Sequence, residues 1–228
     1  KEVLAIFAQQ KMTLGLLGNG FFSSVMWDET NAQNEGIIFR NVHFPKSAVD
    51  LIYSGPHIGV GNPFFQASQR NCNTHRAFDN VCLESLENNY MQRCNYSPCI
   101  SLEKFNKLIP ETSWGSKANS EYRIAARKML NLAGERTLVS CIIPPQTTHT
   151  NGIIGFNIKK IDELVLASGL FESIPFDYFI KTMGKANLYG DNAGKLPIVH
   201  SKFDAAIMYR SLLLNCLCVS FYQLLKFP

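Results

Sequence analysis

At 228 residues, with 46% hydrophobic and 18% charged positions, the chain has the size and composition of one folded domain, or of one domain with a small appendage. Those values exclude a collagen-like repeat, a coiled coil and wholesale disorder. The net charge of +4 suits a polyanionic partner without requiring one.

In chain order, residues 36–42 (Gly-Ile-Ile-Phe-Arg-Asn-Val) are rich in β-branched and aromatic side chains between turn residues, which predicts a strand. Asn119 and Ser120 are placed to cap a helix in which Tyr122, Ala125, Ala126, Met129 and Leu130 recur at helical spacing, with Gly134 as its stop. Residues 137–143 and 152–158 read as strands joined across Pro144-Pro145 and a polar loop, as in a wide hairpin. Residues 161–168 read as a short helix ending at Gly169. Ser173-Ile174-Pro175 opens another, with Phe176, Phe179, Ile180 and Met183 on one face before Gly184. Glycines gather over 184–197 and mark a soft boundary between a main part, 1–184, and a C-terminal helical segment, 185–228. That segment carries the stripe Ile207, Leu214, Leu217, Phe221 and Leu224, expected to pack on the body or on a neighbouring domain. The expected fold is mixed α/β (α+β): a central, largely antiparallel or mixed sheet, flanking helices and a C-terminal helical segment.

The seven cysteines are odd in number and follow no recognisable secretory leader, which points to a reducing cytoplasm. The most apolar stretch, 211–227, is interrupted by Asn215, Ser220, Gln223 and Lys226 and falls short of the roughly 20 apolar residues a bilayer span needs. The chain starts without Met and stops just after an apolar helical pattern, so the expectation is a piece of something longer.

Several strings invite a chemical reading. Gly61-Asn62-Pro63-Phe64-Phe65 approaches the Asn-Pro-Pro-aromatic loop that amino-methyltransferases close on an extruded base, but its second proline is Phe64. The only Gly-rich turn, at Gly18-Asn19-Gly20, has Arg40 where an acidic residue is needed 20 positions on. Cys72 with His75, and Cys94 with Cys99, are near misses to zinc-ligand spacing, and the preferred reading is buried thiols with one surface histidine. No catalytic, cofactor or metal residue is therefore expected in this segment. The basic excess is local: residues 93–136 hold eight Lys and Arg against four Glu. On the predicted helix, Arg123 and Arg127 stand one turn apart, away from the apolar stripe and able to grip successive phosphates, with Lys128 and Arg136 nearby. Residues 66–76 form a loop of amide, Arg and His side chains of the kind that pair with base edges.

Six strings occur in one order: Tyr53-Ser54-Gly55-Pro56-His57-Ile58-Gly59-Val60-Gly61-Asn62-Pro63-Phe64-Phe65; Cys72-Asn73-Thr74-His75-Arg76-Ala77-Phe78-Asp79-Asn80; Tyr90-Met91-Gln92-Arg93-Cys94-Asn95-Tyr96; Tyr122-Arg123-Ile124-Ala125-Ala126-Arg127-Lys128-Met129; Glu135-Arg136-Thr137-Leu138 with Ile142-Ile143-Pro144-Pro145; and Arg210-Ser211-Leu212-Leu213-Leu214-Asn215-Cys216-Leu217. Together, from about residue 36 to 225, they resemble the C-terminal target-recognition region of bacterial type II and IIG restriction-modification N6-adenine DNA methyltransferases. The resemblance implies that a separate catalytic domain, in the same polypeptide or a partner chain, binds S-adenosylmethionine and carries the Asn-Pro-Pro-aromatic loop. This segment then reads double-stranded DNA and presents the target adenine. Where relatives often read Pro-Arg-Thr-Asn-Tyr, this chain has Met91-Gln92-Arg93-Cys94-Asn95-Tyr96, so only Arg93, Asn95 and Tyr96 carry over. The DNA-contacting residues so implied are His57, Asn62, Gln66, Arg70, His75, Arg76, Arg93, Asn95, Tyr96, Arg123, Arg127, Lys128 and Arg136. Two rivals predict different behaviour: a self-contained methyltransferase with degenerate motifs binds the methyl donor itself, and a non-catalytic assembly module of a phage-defence complex binds no duplex.

Overall fold

The computed structural model describes residues 2–59, 63–64, 66–215 and 224. In chain order its strands are β1 (Phe21–Ser24), β2 (Ile38–His43), β3 (Ile52–Tyr53), β4 (Gln66–Ser68), β5 (Phe78–Asn80), β6 (Cys94–Pro98), β7 (Arg123–Arg127), β8 (Ser140–Ile143), β9 (Thr148–His149) and β10 (Ile153–Ile158). Its helices are α1 (Glu2–Gln9), α2 (Glu29–Asn34), α3 (Leu102–Leu108), α4 (Ile161–Phe171), α5 (Ile174–Thr182), α6 (Gly190–Ala193) and α7 (Asp204–Asn215). The class is mixed α/β, as expected.

The central sheet has the order β1-β10-β7-β8, antiparallel throughout. Side-chain alternation sends Ile124, Ala126, Ile142, Ile154, Phe156 and Ile158 to one face. There they pack against Leu164, Val165 and Phe171 of α4 and Phe176 and Ile180 of α5, with Ile207, Met208 and Leu212 of α7 at the margin. The opposite face, bearing Ala125, Cys141, Ile143 and Ile153, is covered by Leu51, Tyr53, Ile58 and Cys94 of a second layer. A third cluster, with Trp27, Ile38, Tyr96 and Phe105, joins the β2–β6 pair to α2 and α3.

Burial on both faces explains the largest departure from the sequence reading. The helix expected from Asn119 to Gly134 is instead strand β7, paired residue for residue with β10 and β8. A central strand covered on both sides needs no polar face, so its apolar run mimics helical spacing, and cross-strand partners decide the outcome. Asn119 caps nothing: its carbonyl accepts from Gln146 N at 2.6 Å and its amide donates to Gln146 O at 3.4 Å. The wide hairpin is corrected for the same reason, because β7 lies between β8 and β10.

Gly169 does not end its helix either, since α4 runs on to Phe171. A Cβ at Gly169 would stand 2.5 Å from Ile207 Cγ2, so this glycine allows α4 and α7 to approach. The second expected helix is α5, with Pro175 in its first turn. Beyond Gly184 the chain returns to the sheet: Leu130 N donates to Ala186 O at 2.9 Å and Leu188 N to Lys128 O at 2.8 Å. Leu188, Ala193 and Leu196 join the same core, and Leu14 N donates to Leu196 O at 3.0 Å. Of the C-terminal stripe expected to pack, Ile207 of α7 lies against the core and Leu224 is buried, but Leu214 faces outward from α7 and does not pack on the body, while Leu217 and Phe221 fall outside the described residues. Among the described residues no helix is long and apolar enough to cross a membrane.

Candidate nucleic-acid interface

The expected loop at 66–76 is a short antiparallel hairpin, β4 against β5, pairing Gln66 with Asn80, Ala67 with Asp79 and Ser68 with Phe78. Its turn is closed by Gln69 N to Ala77 O at 2.9 Å and Ala77 N to Thr74 O at 3.1 Å. Gln69 Nε2 donates to Asp79 Oδ1 at 2.8 Å, and the buried Cys72 anchors the turn from below. Arg70, His75 and Arg76 stand exposed on this turn, and Gln66 is half-buried at its root.

Beneath the hairpin lies a buried hydrogen-bonded platform. Ser54 N donates to His57 Nδ1 at 3.0 Å, so that nitrogen is an acceptor. The other, Nε2, carries the proton and donates to Arg93 O at 3.1 Å. Burial pushes the His57 pKa down, which keeps the ring neutral, and the Ser54 N–H sets its tautomer. The Arg93 carbonyl also accepts from Ser68 Oγ at 2.9 Å, tying β4 to the start of β6. Ser54 Oγ donates to Asn95 Oδ1 at 3.0 Å, and Gln92 Nε2 donates to Phe64 O at 2.7 Å and Gln66 O at 3.2 Å. Edge-on rings fill the remaining space: Phe78 lies 5.1 Å and Tyr53 5.8 Å from the His57 ring.

The expected DNA-contacting residues therefore separate. His57 and Asn95 are interior members of the platform, and Tyr96 is buried with its hydroxyl donating to Glu29 Oε2 at 3.0 Å. Burial, reinforced by the Glu29 carboxylate, pushes that phenol above its ordinary range. These three side chains hold the scaffold and have no surface to offer a base edge. Arg93 is half-buried, its guanidinium 5.2 Å from the centroid of Phe44. Asn62 falls outside the described residues.

The basic stripe is corrected more sharply. Arg123 is fully buried on the face of β7 opposite the helices, where its Nη2 donates to Thr147 O at 2.5 Å. Its Nε and Nη1 meet no hydrogen-bond acceptor among the described residues, and burial pushes its pKa down to about 9. The neighbouring His149 is pushed down to about 3 by burial and by the Arg123 charge. Arg127 and Lys128 emerge half-buried at the end of β7, Lys128 Nζ lying 5.6 Å from the Tyr189 ring centroid. Arg136 Nη2 donates to Glu172 O at 3.0 Å, and its Nε lies 3.3 Å from the buried Asp177 carboxylate. Arg123 and Arg127 are thus two residues of a strand in different surroundings, not neighbours on a solvated helix face.

The thiols are free where described: Cys72, Cys94 and Cys141 are buried, Cys82 and Cys99 exposed. Burial pushes Cys94 up to about 12, so it is no nucleophile at neutral pH. Two exposed residues beside the hairpin escaped the sequence reading. Arg40 Nη1 donates to Cys72 O at 3.5 Å, and Phe44 projects at the end of the β2 arm. Their signal is an Arg at an outward position of β2 and a Phe just past its end, which becomes legible only once the strand's partner is known. No protein-family model matches the chain, and no curated protein sequence matches it.

Proposed function

We propose that the chain is a DNA target-recognition module of a restriction-modification N6-adenine methyltransferase, working in the cytoplasm. In this reading it reads duplex sequence and presents the target adenine to a separate catalytic domain that binds S-adenosylmethionine. The observation that carries it is a correspondence between the strings of the resemblance and the platform. Ser54, His57, Arg93 and Asn95, from two of the strings, form one hydrogen-bonded base together with Ser68, and above it stand exposed His75 and Arg76 of a third string and, between the strings, Arg70. A reader needs this combination of a rigid mount and projecting forked side chains, because a bidentate pair discriminates only when its geometry is fixed.

The test is a salt titration of duplex binding by the 228-residue chain. Each phosphate contact contributes about −0.9 to the log–log slope. Arg70→Ala or Arg76→Ala in the parent enzyme is expected to relax the methylated sequence at one position, losing roughly 1–3 kcal/mol of discrimination per bidentate pair. Unchanged sequence preference with uniformly lower activity would assign these arginines to phosphate instead. Absence of duplex binding at low salt would favour the assembly-module reading.

A further inference from the structure

Phe44 exposes 63% of its surface. One exposed phenylalanine is ordinary, but the surroundings of this ring are specific. The next residue, Pro45, is buried and fixes the chain at that point. Against the ring lies the Arg93 guanidinium, 5.2 Å from the centroid. The backbone carbonyl of Arg93 is the atom that accepts from Ser68 and His57, so Phe44 stands one side chain away from the root of the hairpin. Further back on the same arm, Arg40 stacks 5.2 Å from the Tyr96 ring and reaches the Cys72 carbonyl in the hairpin turn. The β2 arm and the turn bearing Arg70 and Arg76 therefore form adjoining parts of one surface.

An aromatic ring backed by a guanidinium, beside a turn of Arg, His and amide side chains, has the chemistry of a nucleobase-stacking platform. The π-face accepts any base, and the cation offsets the phosphate beside it. Resting on the DNA-recognition reading above, we infer that Phe44 is a stacking wedge that inserts beside a base of the bound duplex, with Arg93 neutralising the adjacent phosphate. Such wedges are used where a base step must open, and an aromatic ring recovers part of the lost stacking.

The experiment uses the whole 228-residue chain and a duplex with one central mismatch, where opening a step costs least. Phe44→Ala is expected to weaken binding about tenfold, the effect of losing one base–aromatic stack, without changing the salt slope. Phe44→Trp is expected to retain affinity, and its added fluorescence, measured against the wild-type background of Trp27 and Trp114, to fall as DNA saturates the protein. Wild-type affinity in Phe44→Ala, or no change in the added emission of the Phe44→Trp variant at saturation, overturns the stacking role while leaving DNA recognition standing. A wild-type chain that binds neither matched nor mismatched duplex overturns the recognition reading and this inference together.

Discussion

Arg123 shows how far a residue's role depends on what covers it. Taken with Arg127 it has the spacing of a phosphate clamp, yet its guanidinium lies in the core against the Thr147 carbonyl. A buried cation is costly, and hydrophobic replacement of similar volume is often neutral or stabilising, whereas truncation leaves a cavity. Arg123→Met is therefore expected to match the wild type in urea unfolding or to gain up to about 4 kcal/mol. Arg123→Ala is expected to lose about 2–5 kcal/mol. Neither is expected to alter the salt slope of duplex binding, since the group reaches no phosphate; a flatter slope in the Met variant would put Arg123 back at the interface.

His149 carries a pH consequence. Its folded-state pKa of about 3 lies below the ordinary 6.5, so between these values the unfolded chain binds the extra proton. Stability is then complete above pH 6.5 and falls as the pH drops toward 3, by up to about 1.4 kcal/mol per pH unit. His57, also pushed down by burial, acts in the same direction. Between about pH 7.5 and 5 the wild type is expected to lose about 2 kcal/mol more than His149→Asn in urea unfolding, a difference that isolates this ring from every other titrating group. Equal losses would show that water reaches the histidine.

Among elements, the contact of α4 with α7 is governed by Gly169. In an exposed helix, Gly→Ala gains about 1 kcal/mol from propensity. Here the added methyl meets Ile207 Cγ2 at 2.5 Å, so Gly169→Ala is expected to destabilise by about 1–3 kcal/mol. Ile207→Ala in the same chain should relieve part of that loss, giving a coupling of about 0.5–3 kcal/mol in a double-mutant cycle measured by urea unfolding. Additive losses would mean that the helices separate without strain. The hairpin β4–β5 is an element of another kind, short, with Ala67 and Ser68 buried at its base and its turn exposed, held by the Arg93 carbonyl and the Gln92 side chain and not by a core of its own. That mounting lets one surface turn be both polar and fixed.

At the scale of the whole molecule, the central sheet separates a helical layer, where α4, α5 and α7 pack, from a layer of short strands and turns that carries the hairpin. The parallel pair β3–β9 ties the short-strand layer to the segment between β8 and β10 of the central sheet. Ile52 and Tyr53 register with Thr148 and His149, and Thr150 N donates to Tyr53 O at 2.8 Å. The loop that Arg123 holds is therefore continuous with the segment that begins the His57 platform.

Local signals in the sequence were sufficient for the mixed α/β class, for β2, β8 and β10, for α5 and for the start of α4. Each has a period, a proline or a turn residue that acts within a few positions. The exposed tip of the loop read at 66–76 was also legible, since Arg70, Asn71, Asn73, Thr74, His75 and Arg76 follow one another there with only Cys72 among them to bury, while the pairing of Gln66–Ser68 as a strand was not. What only the tertiary structure decided was β7, the order of the sheet, the purpose of Gly169, and which of the candidate residues lie inside. A strand buried on both faces loses the alternation that would identify it, and a glycine needed for helix contact looks the same as one that stops a helix. Arg123, His57, Asn95 and Tyr96 are polar or aromatic residues whose composition suggests the surface. Only the partners brought to them from distant parts of the chain, Thr147, Arg93, Ser54 and Glu29, make their burial possible.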